Sequence, residues 1–161
     1  MSQAELIADE LDRALRGQAW HGSSLCELLE GMSLEMATQR PIPAGHNIWE
    51  LVMHITSWAD IARRRITGGR VAPHEGEDWA PAEDMTMERW IAIQSALRQS
   101  HENLRDAVLE LSDDRLAANA PESENSVAVM LHGVVQHAAY HGGQIALLKK
   151  AVVTQHRRAA L

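Results

Sequence analysis

Residues 126–150 read SVAVMLHGVVQHAAYHGGQIALLKK. Val127, Met130, Leu131, Val134, Ala138, Ile145 and Leu148 recur at steps of three and four, the period of one helix face. His137 and His141 fall in line with Val134, Ile145 and Leu148, so the phase that makes this segment a helix also turns both imidazoles inward. One turn apart, their Cβ atoms are roughly 5–6 Å from each other. That spacing lets two ring nitrogens reach one metal ion. A His-x-x-x-His pair alone is common, with two solvated histidines as the plain alternative, and the inward face is what sets this pair apart. His132 lies about 140° round the helix from His137 and is not expected to join it. Asn125 or Ser126 can cap the helix start, and His156, Arg157 and Arg158 read as a frayed basic tail.

Upstream, the same period recurs three times. Residues 3–30 form a first helical segment with Leu6, Leu11, Leu15, Leu25, Leu28 and Leu29 at helical spacing. A break is expected near residues 17–22, and Gly31 is a natural stop. Cys26 falls among these leucines and reads as a small buried hydrophobe. Residues 40–46, RPIPAGH, are a loop by their proline and glycine content. The second helix then starts on Asn47 with Glu50 three positions on, an Asn form of the capping box. Its inner stripe is Ile48, Leu51, Val52, Ile55, Ala59, Ala62 and Ile66, ending at Gly68 and Gly69. His54 sits at one margin of that stripe, and position alone leaves it equally a core residue bonded to a carbonyl or a ligand.

Residues 68–84 are the longest irregular piece, with His74, Trp79 and Pro81, long enough to cover a pocket mouth. His74 reads as a surface residue there. A third helix runs over residues 86–111 on Trp90, Ile93, Leu97, Leu104, Val108 and Leu111. His101 is close to its apolar face and rivals His54 as a third ligand, although a structural role fits it better. Four helical segments with apolar stripes predict an all-α fold, a four-helix bundle in one domain over residues 1–161.

Composition narrows the function. There are 22 acidic and 15 basic residues, a formal charge of -7, which disfavours nucleic acid as the main partner. Arg63, Arg64 and Arg65 read as a solvated helix end. One cysteine rules out an intrachain disulfide and suits a reducing cytoplasm. The N-terminal stretch lacks signal-peptide character, and no apolar run approaches the ~18–20 residues that span a bilayer. A cytoplasmic protein without a membrane partner is expected.

Inward imidazoles need partners for both nitrogens, and protonated together they would repel. One divalent ion held by His54, His137 and His141 resolves this and leaves a position open for water or substrate, the pattern of a catalytic site. Imidazole suits zinc, nickel, copper or iron, with zinc or nickel the expected ion.

The run HAAYHGGQIALLKK from His137 resembles the closing motif of the DinB-like family, the DinB/YfiT superfamily, in which His-x-x-x-His precedes an Arg-Gly-Gln-Ile-like run. NIWELVMH over residues 47–54 is similar to that family's second-helix motif. The resemblance extends over nearly the whole chain in element order and length. It implies an up-down-down-up bundle, a divalent metal on His54, His137 and His141, and a homodimer. Gly142 stands where relatives commonly have arginine, which removes a basic group from beside the metal, while Gly143 and Gln144 match. Two glycines in a helix cost roughly 1 kcal/mol each against alanine, and close approach of another helix or a dimer partner would offset that.

Characterised relatives imply a thiol-dependent S-transferase acting on a small-molecule substrate, with a low-molecular-weight thiol such as bacillithiol or mycothiol as cofactor. The alternatives are a metal-dependent hydrolase and a non-catalytic metal- or ligand-binding stress protein. A helical interaction module whose histidines merely pack stands as the third class. Glu50, one turn before His54, is a weak candidate for a general base, with helix capping as its alternative role, and no base is named.

Overall fold

The computed structural model describes residues 1–69 and 72–159. Among them the chain forms seven helices and no strand: α1 (Gln3–Arg16), α2 (Leu25–Leu29), α3 (Leu34–Thr38), α4 (Ile48–Ile66), α5 (Met87–Leu109), α6 (Asp113–Ala117) and α7 (Val127–Ala159). Their starts are written in the sequence. Ser2, Ser24, Ser33, Asn47, Thr86 and Ser112 each accept a hydrogen bond from the backbone N–H three residues on. Ser126 does the same for Val129 at 3.2 Å, opening α7. At Ser2, Ser24 and Asn47 a glutamate three positions later reaches back, completing a capping box.

The long helices α1, α4, α5 and α7 build the bundle. Both α1 and α4 pack on α5 and α7, so the order round the bundle is α1, α5, α4, α7. Apolar side chains gather in two clusters along its length. One takes Ala14 and Leu15 from the end of α1, Ile48 to Ile55 from the start of α4, Trp90 and Leu97 from α5, and Ala138, Ile145 and Leu148 from α7. The other takes Ala4 to Leu11, Ala59 to Ile66, Leu104 and Val108, and Val127 to Val134. So α1 and α7 run from the second cluster to the first, and α4 and α5 run back. His54, His101 and His137 all fall where the two clusters meet.

Several expectations are corrected here. The stretch over residues 3–30 is two helices, parted after Gly17 as the glycines suggested, and α3 and α6 were not foreseen. Leu6 is 50% exposed, and Ile7 takes the core place because α1 buries the phase Ala4, Ile7, Ala8, Leu11, Ala14 and Leu15. Helix α7 does not fray at His156 but continues to Ala159. Val152 is fully buried, and nothing in the sequence stops the helix before Ala159. The side chains of residues 156–159 lie outside the described residues. Cys26 is half-buried against the first cluster, and burial pushes its thiol pKa up, consistent with a packing role. No helix among the described residues is long and apolar enough to cross a membrane.

Candidate metal centre

Two helices of opposite direction bring three imidazoles together. His54 is in the second turn of α4, fixed in phase by the Asn47 cap, and is 6% exposed. His137 and His141 face it from α7, with ring centroids 4.8 and 4.7 Å from that of His54 and 4.4 Å from each other. One nitrogen from each ring lies within 4.8 Å of the others. The outer edges define the tautomers. Nδ1 of His54 donates to the Asp78 carbonyl at 2.7 Å, and Nδ1 of His141 donates to Gln144 Oε1 at 2.7 Å. Each thereby leaves Nε2 as the nitrogen available to a shared ion.

Charge state agrees with this geometry. Burial first, then the neighbouring histidines, push His137 down to about 4. Burial likewise lowers His141, with the Gln144 hydrogen bond opposing it. Both are neutral lone-pair donors at neutral pH. Nitrogens bound at ~2.0–2.1 Å to one ion lie roughly 2.9–3.4 Å apart, and Nε2 of His54 and Nε2 of His137 are 2.9 Å apart. The spacing of this pair fits a divalent ion, and the third nitrogen, from His141, lies within 4.8 Å of both.

The irregular stretch after α4 is pinned over the site. Arg64 grips Glu77 through two hydrogen bonds, of 2.7 and 2.9 Å, and Glu77 also accepts the His74 N–H at 2.7 Å. The Arg64 contact, against a smaller opposing effect of burial, holds the Glu77 carboxyl below its usual range. Next along the chain, Asp78 Oδ1 accepts from Trp58 Nε1 at 2.7 Å. Trp79 is clamped between His54 (3.8 Å, 5°) and His46 (3.6 Å, 7°) in parallel stacks. The arginine cluster is therefore not merely a solvated helix end: Arg64 anchors this segment, and Arg65 lies over the Trp58 ring at 5.7 Å.

Beside the histidines opens a cavity of about 490 Å³, lined among others by Trp58, Trp79, Tyr140, Met130, Val134 and Arg65. The sequence singled out neither Asp78, Trp79, Trp58 nor Arg65 as site residues. For Asp78 and Trp79 the only signal was the length of the irregular stretch they belong to, while Trp58 and Arg65 sit on α4 outside its inner stripe.

The remaining histidines stay apart. His101 is fully buried on α5 and donates Nδ1–H to the Leu97 carbonyl at 3.0 Å, and burial drives its pKa to about 4. Its Nε2 meets no partner among the described residues. His132 pairs with Glu10 at 2.9 Å, and His74 is exposed. Burial would raise the Glu50 carboxyl, but hydrogen bonds from Asn47 and Arg40 outweigh it and hold it low, so Glu50 is a cap. Close approach does not explain the glycine pair. A Cβ on Gly142 would meet Leu28 and Leu25 methyls at 3.5 and 3.6 Å, ordinary contact, and one on Gly143 would meet nothing within 4 Å.

A family model described as the DinB superfamily matches residues 19–145, a span that includes all three histidines. No curated protein and no solved structure gives a match.

Proposed function

The chain belongs to the DinB superfamily, and from that premise we propose that it binds one divalent metal ion through His54, His137 and His141 and uses it on a small molecule. The carrying observation is the 2.9 Å approach of His54 Nε2 to His137 Nε2, with the outer nitrogens of His54 and His141 held by Asp78 and Gln144. Zinc or nickel suits three imidazole ligands. Bound there, such an ion supplies Lewis acidity, making a coordinated thiol a thiolate or lowering the pKa of bound water to about 7.

Thiol-dependent S-transfer is the activity we assign first. Trp79 and the Arg64–Glu77 pair keep the stretch containing Asp78 closed over His54, which limits water at that edge. Trp58, Tyr140 and Met130 shape the open side, where substrate enters. Asp78 and Glu50 are both engaged elsewhere, so neither is assigned as a base. Hydrolysis is the second reading, and one observation favours it: the cavity wall has few polar groups to hold the polar body of a low-molecular-weight thiol. A cytoplasmic homodimer remains part of the proposal.

The test is elemental analysis of protein purified without a histidine tag. About one ion per chain is expected in the wild type, and far less in His54→Ala and His137→Ala. Metal content unchanged in both variants would overturn the assignment. Turnover of an electrophile with bacillithiol or mycothiol then separates transfer from hydrolysis.

A further inference from the structure

The chain has six aromatic side chains, five Trp and one Tyr. Trp49 and Trp90 stack in the core with centroids 5.7 Å apart, and Trp20 projects from the turn after α1. The other three, Trp58, Trp79 and Tyr140, all line the cavity beside the histidines. Large rings stabilise a fold when buried, yet Trp58 and Trp79 are only half-buried and Tyr140 is 66% exposed. Half of the chain's aromatic side chains border one opening instead of filling the core.

One indole N–H is already used. Trp58 Nε1 is bound to Asp78, and Trp79 is covered on both faces by His46 and His54, so it offers the cavity its rim. Met130, Val134 and Ala62 complete an aliphatic wall. A ligand therefore meets mainly ring surface and methyl groups, with the Tyr140 hydroxyl and Arg65 as the polar groups away from the histidines and Asp78. The volume suits a drug-sized molecule. Charge is confined to two groups. Asp78 is committed to Trp58 and His54, while Arg65 lies across Trp58. A guanidinium has five donors in a plane, so it can take up an acid while keeping its other contacts.

We propose that this cavity binds a flat, apolar small molecule carrying one acidic group, its body against Trp58, Tyr140, Met130 and Val134 and its acid at Arg65. This rests on reading the histidines as a metal-bearing reaction site, and it makes the cavity's occupant the acceptor substrate rather than the thiol. Seated this way, the end of the molecule away from Arg65 lies over His137 and His141.

The test titrates full-length protein, as purified and after chelation, with 2-naphthoate, neutral 2-naphthalenemethanol and reduced glutathione, following tryptophan fluorescence and calorimetry. Metal content is measured on the same samples. Saturable binding of naphthoate is expected with and without metal, with glutathione weaker. Arg65→Met should weaken naphthoate about tenfold and leave the neutral probe unchanged, Arg65→Lys should recover part of the loss, and Trp58→Ala should weaken both aromatic probes. Equal naphthoate affinity in wild type and Arg65→Met overturns the acid's placement, as does binding that chelation abolishes. Glutathione binding more tightly than either aromatic overturns the substrate class. Metal held without probe binding defeats this inference alone, whereas protein that holds no metal as purified yet binds the probe defeats the metal reading and the occupant's role as acceptor, leaving only the cavity's ligand class standing.

Discussion

An imidazole in a protein interior is tolerated when it is neutral and one nitrogen has a partner. His101 meets that condition with Leu97 and no charged neighbour to favour its cation. Its folded pKa of about 4 lies below the ordinary 6.5, so between these values the unfolded chain binds the extra proton. Stability attributable to this group is thus complete above pH 6.5, falls as pH drops toward 4, and levels off below. A shift of that size in a fully buried group corresponds to a loss on the order of 3 kcal/mol. Urea unfolding of chelated protein at pH 7 and pH 4.5 should show the loss, and His101→Leu should make it smaller, leaving the part due to His137 and His141. An unchanged pH slope in the variant would remove His101 as the cause. The three candidate ligands were legible at this scale because a helix period fixes which way His54, His137 and His141 point. Asp78 and Trp79 were not. Their positions depend on Arg64 holding Glu77 from another element, and irregular backbone carries no period from which to read such a contact.

Among the elements, α4 was read almost to the residue because its start is marked by the Asn47–Glu50 box and its end by Gly68 and Gly69. The five-residue helices α2, α3 and α6 are too short to show a period, although Ser24 and Glu27 carry the same box and would have located α2. In α7 the extended end was missed because Val152 is buried by tertiary packing, which propensity does not report. The glycine pair in α7 yields a prediction. Gly143 is helical, with open space where its Cβ would be, so alanine there gains helix propensity of about 1 kcal/mol without a clash. A melting temperature raised by roughly 2–4 °C is expected for Gly143→Ala, read by calorimetry. A clear fall would reveal another surface, such as a second copy, packed against this side of α7.

At the scale of the whole molecule, the apolar stripes announced an all-α protein but not which helices would be neighbours. Period and capping say nothing of order round a bundle, and the long connections through α2, α3 and α6 leave several arrangements open. The observed order makes α4 and α7 adjacent and opposed in direction, and His54 and His137 face each other across that seam where the two core clusters meet. An ion on the three histidines would therefore tie two helices whose contact is otherwise side-chain packing, and would bind a geometry that exists only in the folded chain. Ligand at a thousandfold excess over its dissociation constant stabilises by about 4 kcal/mol, which at roughly 2–4 °C per kcal/mol amounts to about 10 °C. Thermal unfolding of the metal-loaded wild type should shift down by that order on adding a chelator. His137→Ala should melt at one temperature with or without chelator, because it has lost one of the three nitrogens and with it the tie between α4 and α7. A wild-type melting temperature indifferent to chelation would mean that the imidazoles pack against one another with no ion between them.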